Sequence, residues 1–396
     1  MKKCFLYLLM VGGLGACIQS EPLNAEADIT ACKILNAKGS PETNIKGNII
    51  INNAQVLAQA NPSIDLTKLA LEVTLTEGAN ISPDPARVMD YSHPQKFTVT
   101  SEDGNWHKEY SVIIDTFDLP LRYDFEHYEL NETGKYQVFF EETQGTALFK
   151  QYIWASGNSG FALTGVGRNP QEYPTVSIEN GIDGSRAIKL ESTGQFGETV
   201  KMPIAAGNLF LGSFDVNNAV QKPLKATRFG LPFGKKPLQL KGYYKYTPGT
   251  QPFKAKDKNG NTVTIPGQED EGDIYAVLYE AAELDGKALD GNNVLTSEYI
   301  VALARVEVEK KDEFTAFHVD FHYGSRIPID WPKFIRDQRD PSDDGTAPYL
   351  SFSEEKMKNY EYNLAVVFTS SKYGAYFAGS VGSTLCIDKV EIVCEK

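Results

Sequence analysis

Positive charge is scarce in this chain of 396 residues: 39 Lys and Arg stand against 52 Asp and Glu, a formal charge of −13. Such a surface repels phosphate backbones and anionic lipid, which excludes nucleic acid as a partner. Cysteine is scarce as well, with five in all. Cys4 and Cys17 fall near the start, leaving Cys32, Cys386 and Cys394 for the body of the protein. The last two lie on one apparent strand, TLCIDKVEIVCE. At ~3.3 Å per residue their alpha carbons are about 26 Å apart, far beyond the ~7 Å that a disulfide spans. Strand alternation places both on one face, so the expectation is three buried thiols, with neither a disulfide framework nor a metal cluster. After the first residues, no run approaches the ~20 apolar residues of a membrane-spanning helix. Missing too are a long amphipathic helix, a Gly-x-Ser-x-Gly elbow, a phosphate loop and a His-Glu-x-x-His pattern. Serine-hydrolase, nucleotide and zinc-protease chemistry therefore have no basis in the sequence.

The start of the chain is different in kind. MKKCFLYLLMVGGLGACIQSEP opens with Lys2 and Lys3, continues with a short apolar run from Phe5 to Val11, and reaches Leu14-Gly15-Ala16-Cys17. A basic start, a short apolar core and a small-residue cleavage site ending in cysteine make the pattern of a bacterial lipoprotein signal. The pattern predicts a signal peptide over residues 1–16 and a lipidated Cys17 followed by a tether over residues 17–27. It places the protein at the outer membrane or cell surface, touching the membrane only through its N-terminal lipid. Loss of Lys2 and Lys3 takes the formal charge to −15, 37 basic residues against 52 acids.

From residue 28 onward the sequence alternates with a period of two. DITACKIL, GNIIINNAQVLAQA, LALEVTLTEGANIS and the hairpin-like FTVTSEDGNWHKEYSVII predict a small immunoglobulin-like β-sandwich over residues 28–117. LRYDFEHYEL, YQVFFEE, SRAIKLES, LQLKGYYKYTP, DIYAVLYEA, FTAFHVDFHY, YNLAVVFTSS and STLCIDKVEIV continue the pattern over residues 118–396. The fold class is all-β: an N-terminal immunoglobulin-like β-sandwich followed by a larger β-sandwich jelly roll. Three connections, 154 to 184, 247 to 273 and 324 to 348, are long and rich in Gly, Pro, Asn or Asp. Loops of that length are uncommon in compact domains unless functional or disordered, so they are expected to rim and partly roof one end or face of the sandwich.

The aromatic-rich stretch LKGYYKYTPG puts Lys241, Tyr243 and Lys245 on one strand face and Tyr244 and Tyr246 on the other. The second pair either fills a core or stacks on a sugar; burying a ring stabilises equally in both cases, so energy does not choose. In FTAFHVDFHYG, His318, Asp320 and His322 share one face, polar or simply solvated. His318 and His322 stand about 13 Å apart along a strand, too far to share one ion. Trp331 in the third long loop, and Trp154 and Asn158 at the start of the first, are candidate platforms for a ligand. Glycoside hydrolysis requires two carboxylates, and neither Glu-x-Asp-x-x-Glu nor Glu-x-Asp-x-Glu occurs on any strand; Glu280 and Asp320 are the candidates for a cross-strand pair. Asp124, Glu126 and Asp388, on the first and last strands of the larger sandwich, could hold a structural calcium, and no other cofactor is required.

Together the lipoprotein signal, FTVTSEDGNWHKEYSV, YDFE, LKGYYKYTPG and SSKYGAYFAGSVGSTLCIDKVEI resemble the putative carbohydrate metabolism domain family of Bacteroidetes lipoproteins. The resemblance covers essentially the whole mature chain. Its most specific parts are Lys-Gly-Tyr-Tyr-Lys-Tyr and Gly-Ser-Thr-Leu-x-x-Asp. Where the family leads one to expect an acid after the glycine of Ser-Ser-x-x-Gly, this chain has Ala375. The resemblance implies an immunoglobulin-like domain followed by a jelly roll with a sugar pocket, and a role in glycan use.

The leading expectation is a lipid-anchored carbohydrate-binding protein. Its oligo- or polysaccharide would be held by Trp154, Asn158, Tyr244, Tyr246, Glu280, Asp320, His322 and Trp331, and its partners would include other glycan-utilisation proteins. A glycoside hydrolase using Glu280 and Asp320, and an adhesion or assembly subunit, remain as alternatives.

Overall fold

The computed structural model describes residues 23–396 except 53, 61–63, 117–118, 144–148, 195–201, 220, 285–287 and 341–344. The predicted signal peptide, Cys17 and the first part of the tether lie outside the described residues.

Alternation builds two all-β units. In the first, a five-stranded sheet runs in the order Ile45–Asn52, Gln55–Ala60, His107–Asp115, Gln95–Thr100, Asn80–Ser82. Gln55–Ala60 and His107–Asp115 pair in parallel, and the predicted hairpin closes with Thr100 opposite His107. Val56, Phe97, Val99, Tyr110 and Val112 pack against Ile29, Ile34, Leu69 and Leu71 of the two-stranded sheet formed by Ile29–Asn36 and Leu69–Leu75. Ile50, Leu57 and Ile113 are buried elsewhere, in the core of the second unit with Ile153 and Leu231. Asn52 Nδ2 donates to the carbonyls of Tyr152 (3.0 Å) and Trp154 (3.3 Å), adding polar ties to the apolar joint. The two units therefore meet through a continuous core rather than a linker.

The second unit is a sandwich of two sheets. One runs Trp154–Ala155, Asn208–Phe214, Tyr362–Thr369, Asp273–Glu280, Ile300–Val306, His322–Tyr323, with Thr227–Phe229 and Leu231–Pro232 attached beside that path. The other runs Thr175–Ile178, Ala187–Glu191, Thr384–Cys394, Pro237–Thr247, Lys311–Asp320, with Arg122–Tyr123 paired to Thr384–Cys394. Every residue of Asp273–Glu280 and of Tyr362–Thr369 is buried. Ile274, Ala276, Leu278, Leu364, Val366 and Phe368 point between the sheets. Tyr275, Val277, Tyr279, Ala365 and Val367 point the other way, into a second apolar layer with Leu289, Val294, Leu295 and Tyr349. The eight-stranded sheet is thus covered on its outer side by connecting segments, whereas Lys241, Tyr243 and Lys245 on the six-stranded sheet are only half-buried. Among the described residues no helix is long and apolar enough to cross a membrane.

Glycine is required at one crossing of the covered sheet. Gly212 has φ of 140°, and a Cβ there would stand 2.0 Å from the Arg228 carbonyl oxygen, so the approach of Thr227–Phe229 to Asn208–Phe214 excludes any side chain.

The cysteines correct the expectation drawn from simple alternation. Cys386 is fully buried, whereas Cys32 and Cys394 are half-buried. Leu385 and Ile387 point into the inter-sheet core, but so do Val390 and Ile392. The parity changes because the register slips between Lys241 and Tyr243 opposite this strand, where Lys389 adopts φ of 47°. An extra residue of this kind turns the rest of the strand to the opposite face. Cys394 therefore packs against the core while Cys386 lies on the other side of the sheet.

Candidate functional site

The two tyrosines singled out for a sugar are core residues. Tyr244 and Tyr246 are 4% and 2% exposed and pack between the sheets. The Tyr244 ring meets Phe317 edge-on at 6.0 Å, and its hydroxyl accepts from Glu309 N at 3.3 Å. Trp154 is also buried in that core, against Tyr123 at 5.0 Å, and its indole donates to Glu141 Oε1 at 2.8 Å. Asn158 is consumed by a two-way bond with the Thr175 backbone, donating to its carbonyl at 2.7 Å and accepting from its amide at 3.1 Å. The three aromatic residues belong to packing, because the inter-sheet core takes its large rings from both sheets, whereas Asn158 is held by backbone hydrogen bonds.

The expected carboxylate pair does not meet either. Glu280 is buried at the end of its strand beside Tyr362 and bonded to Lys356. Asp320 is exposed on the other sheet, where Gln239 Nε2 donates to it at 2.8 Å. His322 is exposed too, 3.2 Å from Ser325 Oγ, but it belongs to the eight-stranded sheet, so the expected shared face with the exposed His318 and Asp320 does not form. At the corner named for calcium, donors surround the acids. Asp388 accepts from Ile182 N (2.7 Å), Ser185 Oγ (2.8 Å) and Lys389 N (2.7 Å), and Glu126 accepts from Arg186 N (3.1 Å). Among the described residues no group of three or more His, Cys, Asp or Glu is arranged to hold an ion.

Of the candidates, Trp331 lines a cleft. The cleft lies over the outer face of the eight-stranded sheet. Its floor is Asn208, Phe210, Tyr275, Val367 and Thr369, the residues left pointing outward once their neighbours fill the inter-sheet core. Asn292, Val294 and Leu295, then Trp331 and Arg339, then Lys372 and Tyr376, form the walls. These come from three different connections, of which only the one containing Trp331 stands out in the sequence by its length and composition.

Polar ties hold the walls in place. Arg339 donates to Tyr376 Oη (2.6 Å), the Asn292 carbonyl (3.2 Å) and Thr296 Oγ1 (3.1 Å), and its guanidinium lies over the Trp331 ring at 4.4 Å. One side chain thus joins all three walls, a planar fork suited to several acceptors at once. Phe377, just past the Gly374–Tyr376 turn, has φ of 55°, a conformation a bulky residue adopts only under strong local constraint. At the floor, Arg305 Nε and Nη2 grip Asp273 at 2.9 and 2.6 Å. Burial, reinforced by Asp273, lifts the Tyr275 phenol far above neutral pH, so it stays a neutral hydroxyl.

Two buried polar atoms of the cleft lining have no hydrogen-bond partner, Trp331 Nε1 and Thr227 Oγ1. An unmade bond of this kind costs about 1–3 kcal/mol. The lining therefore combines aromatic surface with residues whose indole N–H and hydroxyl the protein itself leaves unbonded, a composition that suits a ligand with apolar patches and hydroxyls. Its charges are already committed: Asp273 to Arg305, and Lys372 to Glu271 at 2.7 Å. Ala375 lies in the lining, so the position where an acid was expected contributes none.

A family profile described as putative carbohydrate metabolism domain matches residues 124–393, and one described as SGBP, N-terminal, matches residues 34–114. No protein of curated function matches the chain. A solved structure described as a putative glycoside hydrolase from Bacteroides thetaiotaomicron vpi-5482 is 38% identical, with a TM-score of 0.75, over 96% of this chain and 99% of that one. Another, described as a putative glycoside hydrolase from Bacteroides vulgatus ATCC 8482, is 33% identical, with a TM-score of 0.56, over 71% of this chain and all (100%) of that one.

Proposed function

Since the chain belongs to the putative carbohydrate metabolism domain family, we propose that it is a lipid-anchored protein that captures an oligo- or polysaccharide in the cleft over the eight-stranded sheet. The observation that carries this reading is that Trp331 and Thr227, each with a buried polar atom that has no hydrogen-bond partner, line the same aromatic-rich hollow. Sugars match that lining, because their C–H patches pack on rings while their hydroxyls both donate and accept. The lipid-bearing Cys17 keeps the cleft at the outer membrane or cell surface, where other glycan-utilisation proteins would receive what it holds. Calorimetry against a panel of glycans tests the reading. At least one glycan binds, and Trp331→Ala and Thr227→Val each weaken it by about tenfold, which corresponds to ~1.4 kcal/mol. No binding by any glycan, or binding indifferent to both substitutions, overturns it.

The descriptions of the two solved relatives favour a second reading, glycoside hydrolysis. A pair of carboxylates ~5 to 9.5 Å apart would be needed. Among the described lining residues Asp273 is the one carboxylate, and Arg305 holds both of its oxygens. That arrangement favours binding. Release of reducing ends from a bound glycan, abolished by Asp273→Asn in a folded variant, would reverse the preference.

A further inference from the structure

Seven large apolar side chains are conspicuously exposed among the described residues, and the two most exposed are Trp106 at 60% and Leu23 at 58%. They are 83 positions apart in sequence, yet both stand at one corner of the first domain. Asn24, next to Leu23, donates its amide to Glu102 Oε2 at 2.9 Å and its side chain to the Glu77 carbonyl at 3.3 Å, and it accepts from Asp103 N at 3.2 Å. Residues 102 and 103 belong to the turn that presents Trp106. That turn is firmly tied: Ser101 N donates to the Trp106 carbonyl at 3.0 Å, Trp106 N to Ser101 Oγ at 3.1 Å, and Asn105 N to Asp103 Oδ1 at 2.9 Å. An indole held out in water on a well-bonded turn forgoes the stabilisation that burial would give.

We propose that this corner rests in the headgroup region of the bilayer, with the Trp106 indole at the interface and Leu23 beside it. The proposal rests on the lipid-anchor reading above. Asn24 is seven residues beyond Cys17, so a lipid at that cysteine keeps the corner within about 25 Å of its attachment point even if the chain is fully extended. Tryptophan favours the membrane interface because one end of the ring system is apolar and the N–H stays wet. Glu77, Glu102 and Asp103 flank the corner, so it fits a zwitterionic leaflet better than a strongly anionic one. Docked in this way, the first domain stands directly on the membrane, and the fused joint with the second domain sets the height and orientation of the cleft.

The test uses the full chain, acylated in a bacterial host and reconstituted into phosphatidylcholine vesicles. Part of the phosphatidylcholine is brominated near the headgroup end of its acyl chains. Of the three tryptophans, Trp106 is the one quenched: Trp106→Phe removes most of the quenching, and Trp331→Phe leaves it in place. An acylated protein with unquenched emission, or with quenching that survives Trp106→Phe, overturns the corner contact while leaving the anchor intact. A shift of Trp106 emission on adding a bound glycan, without lipid quenching, assigns the indole to sugar and overturns it equally. Mass spectrometry of Cys17 separates the two readings, since an unmodified cysteine removes the anchor and the contact with it.

Discussion

The two sheets of the second domain share an interior but have opposite exteriors. Outside the eight-stranded sheet, Tyr275, Val277, Tyr279 and Val367 lie under connecting segments that leave one cleft open. Outside the six-stranded sheet, Lys241, Tyr243 and Lys245 stand half-buried beside an exposed His318 and Asp320. Strand chemistry determines which exterior could be roofed. A strand apolar on both faces has to be covered twice, whereas a strand with lysine on alternate positions satisfies its outer face with water. The proposed sugar site therefore lies where the sequence is continuously apolar, and the alternating tyrosines mark the bare side.

The largest expected effects come from removing groups that the comparison places deepest. Tyr246→Ala leaves a ring-sized cavity between the sheets and costs about 3–5 kcal/mol. Asp273→Ala strands a mostly buried Arg305 beneath the cleft, and its cost is comparable, about 3–5 kcal/mol. Urea unfolding midpoints measure both, and a loss under ~1 kcal/mol for either would mean that the deep layer is not as described.

A smaller effect is expected from pH. Burial lifts the Asp270 carboxyl to about 6, against the pull of hydrogen bonds from Ser371, Ser380 and Ser383. The usual aspartate value, near ~3.9, applies in the unfolded chain, so between about pH 4 and 6 the folded state binds more protons. Stability is therefore favoured at the acid end of that window and falls as pH rises through it. Burial also lifts Glu141 to about 7, although the Trp154 bond opposes this, and its contribution has the same sign. Asp270→Asn flattens the pH dependence of the unfolding midpoint, and the Glu141 part remains. A midpoint that rises from pH 4 to 6 in the wild type contradicts this assignment. The smallest effect belongs to the bare face: Tyr243→Ala changes stability by no more than about 0.5 kcal/mol and leaves glycan affinity unchanged.

The all-β architecture was readable because period-two patterning and turn residues recur along the whole chain. The site was readable only in part. LKGYYKYTPG attracted attention through its tyrosines, but the lysines among them mark a one-sided strand whose Tyr244 and Tyr246 rings belong to the core. The informative stretches were DIYAVLYE and YNLAVVFT, whose outward residues have no polar alternation and therefore announce a second covered layer. Trp331 could be chosen from its long loop, whereas Asn292, Arg339 and Tyr376 could not. Three connections converge on them through Arg339, and convergence in space leaves no mark on a single sequence. The parity change at Lys389 was equally hidden, because a one-residue slip needs no unusual residue.

Hydrogen–deuterium exchange with and without a bound glycan tests the placement of the ligand most directly. A sugar in the cleft slows exchange in residues 289–297, 329–339 and 371–378, and leaves 237–247 and 311–320 unchanged. Protection of the second set with the first unaffected would put the sugar on the bare sheet and contradict that placement.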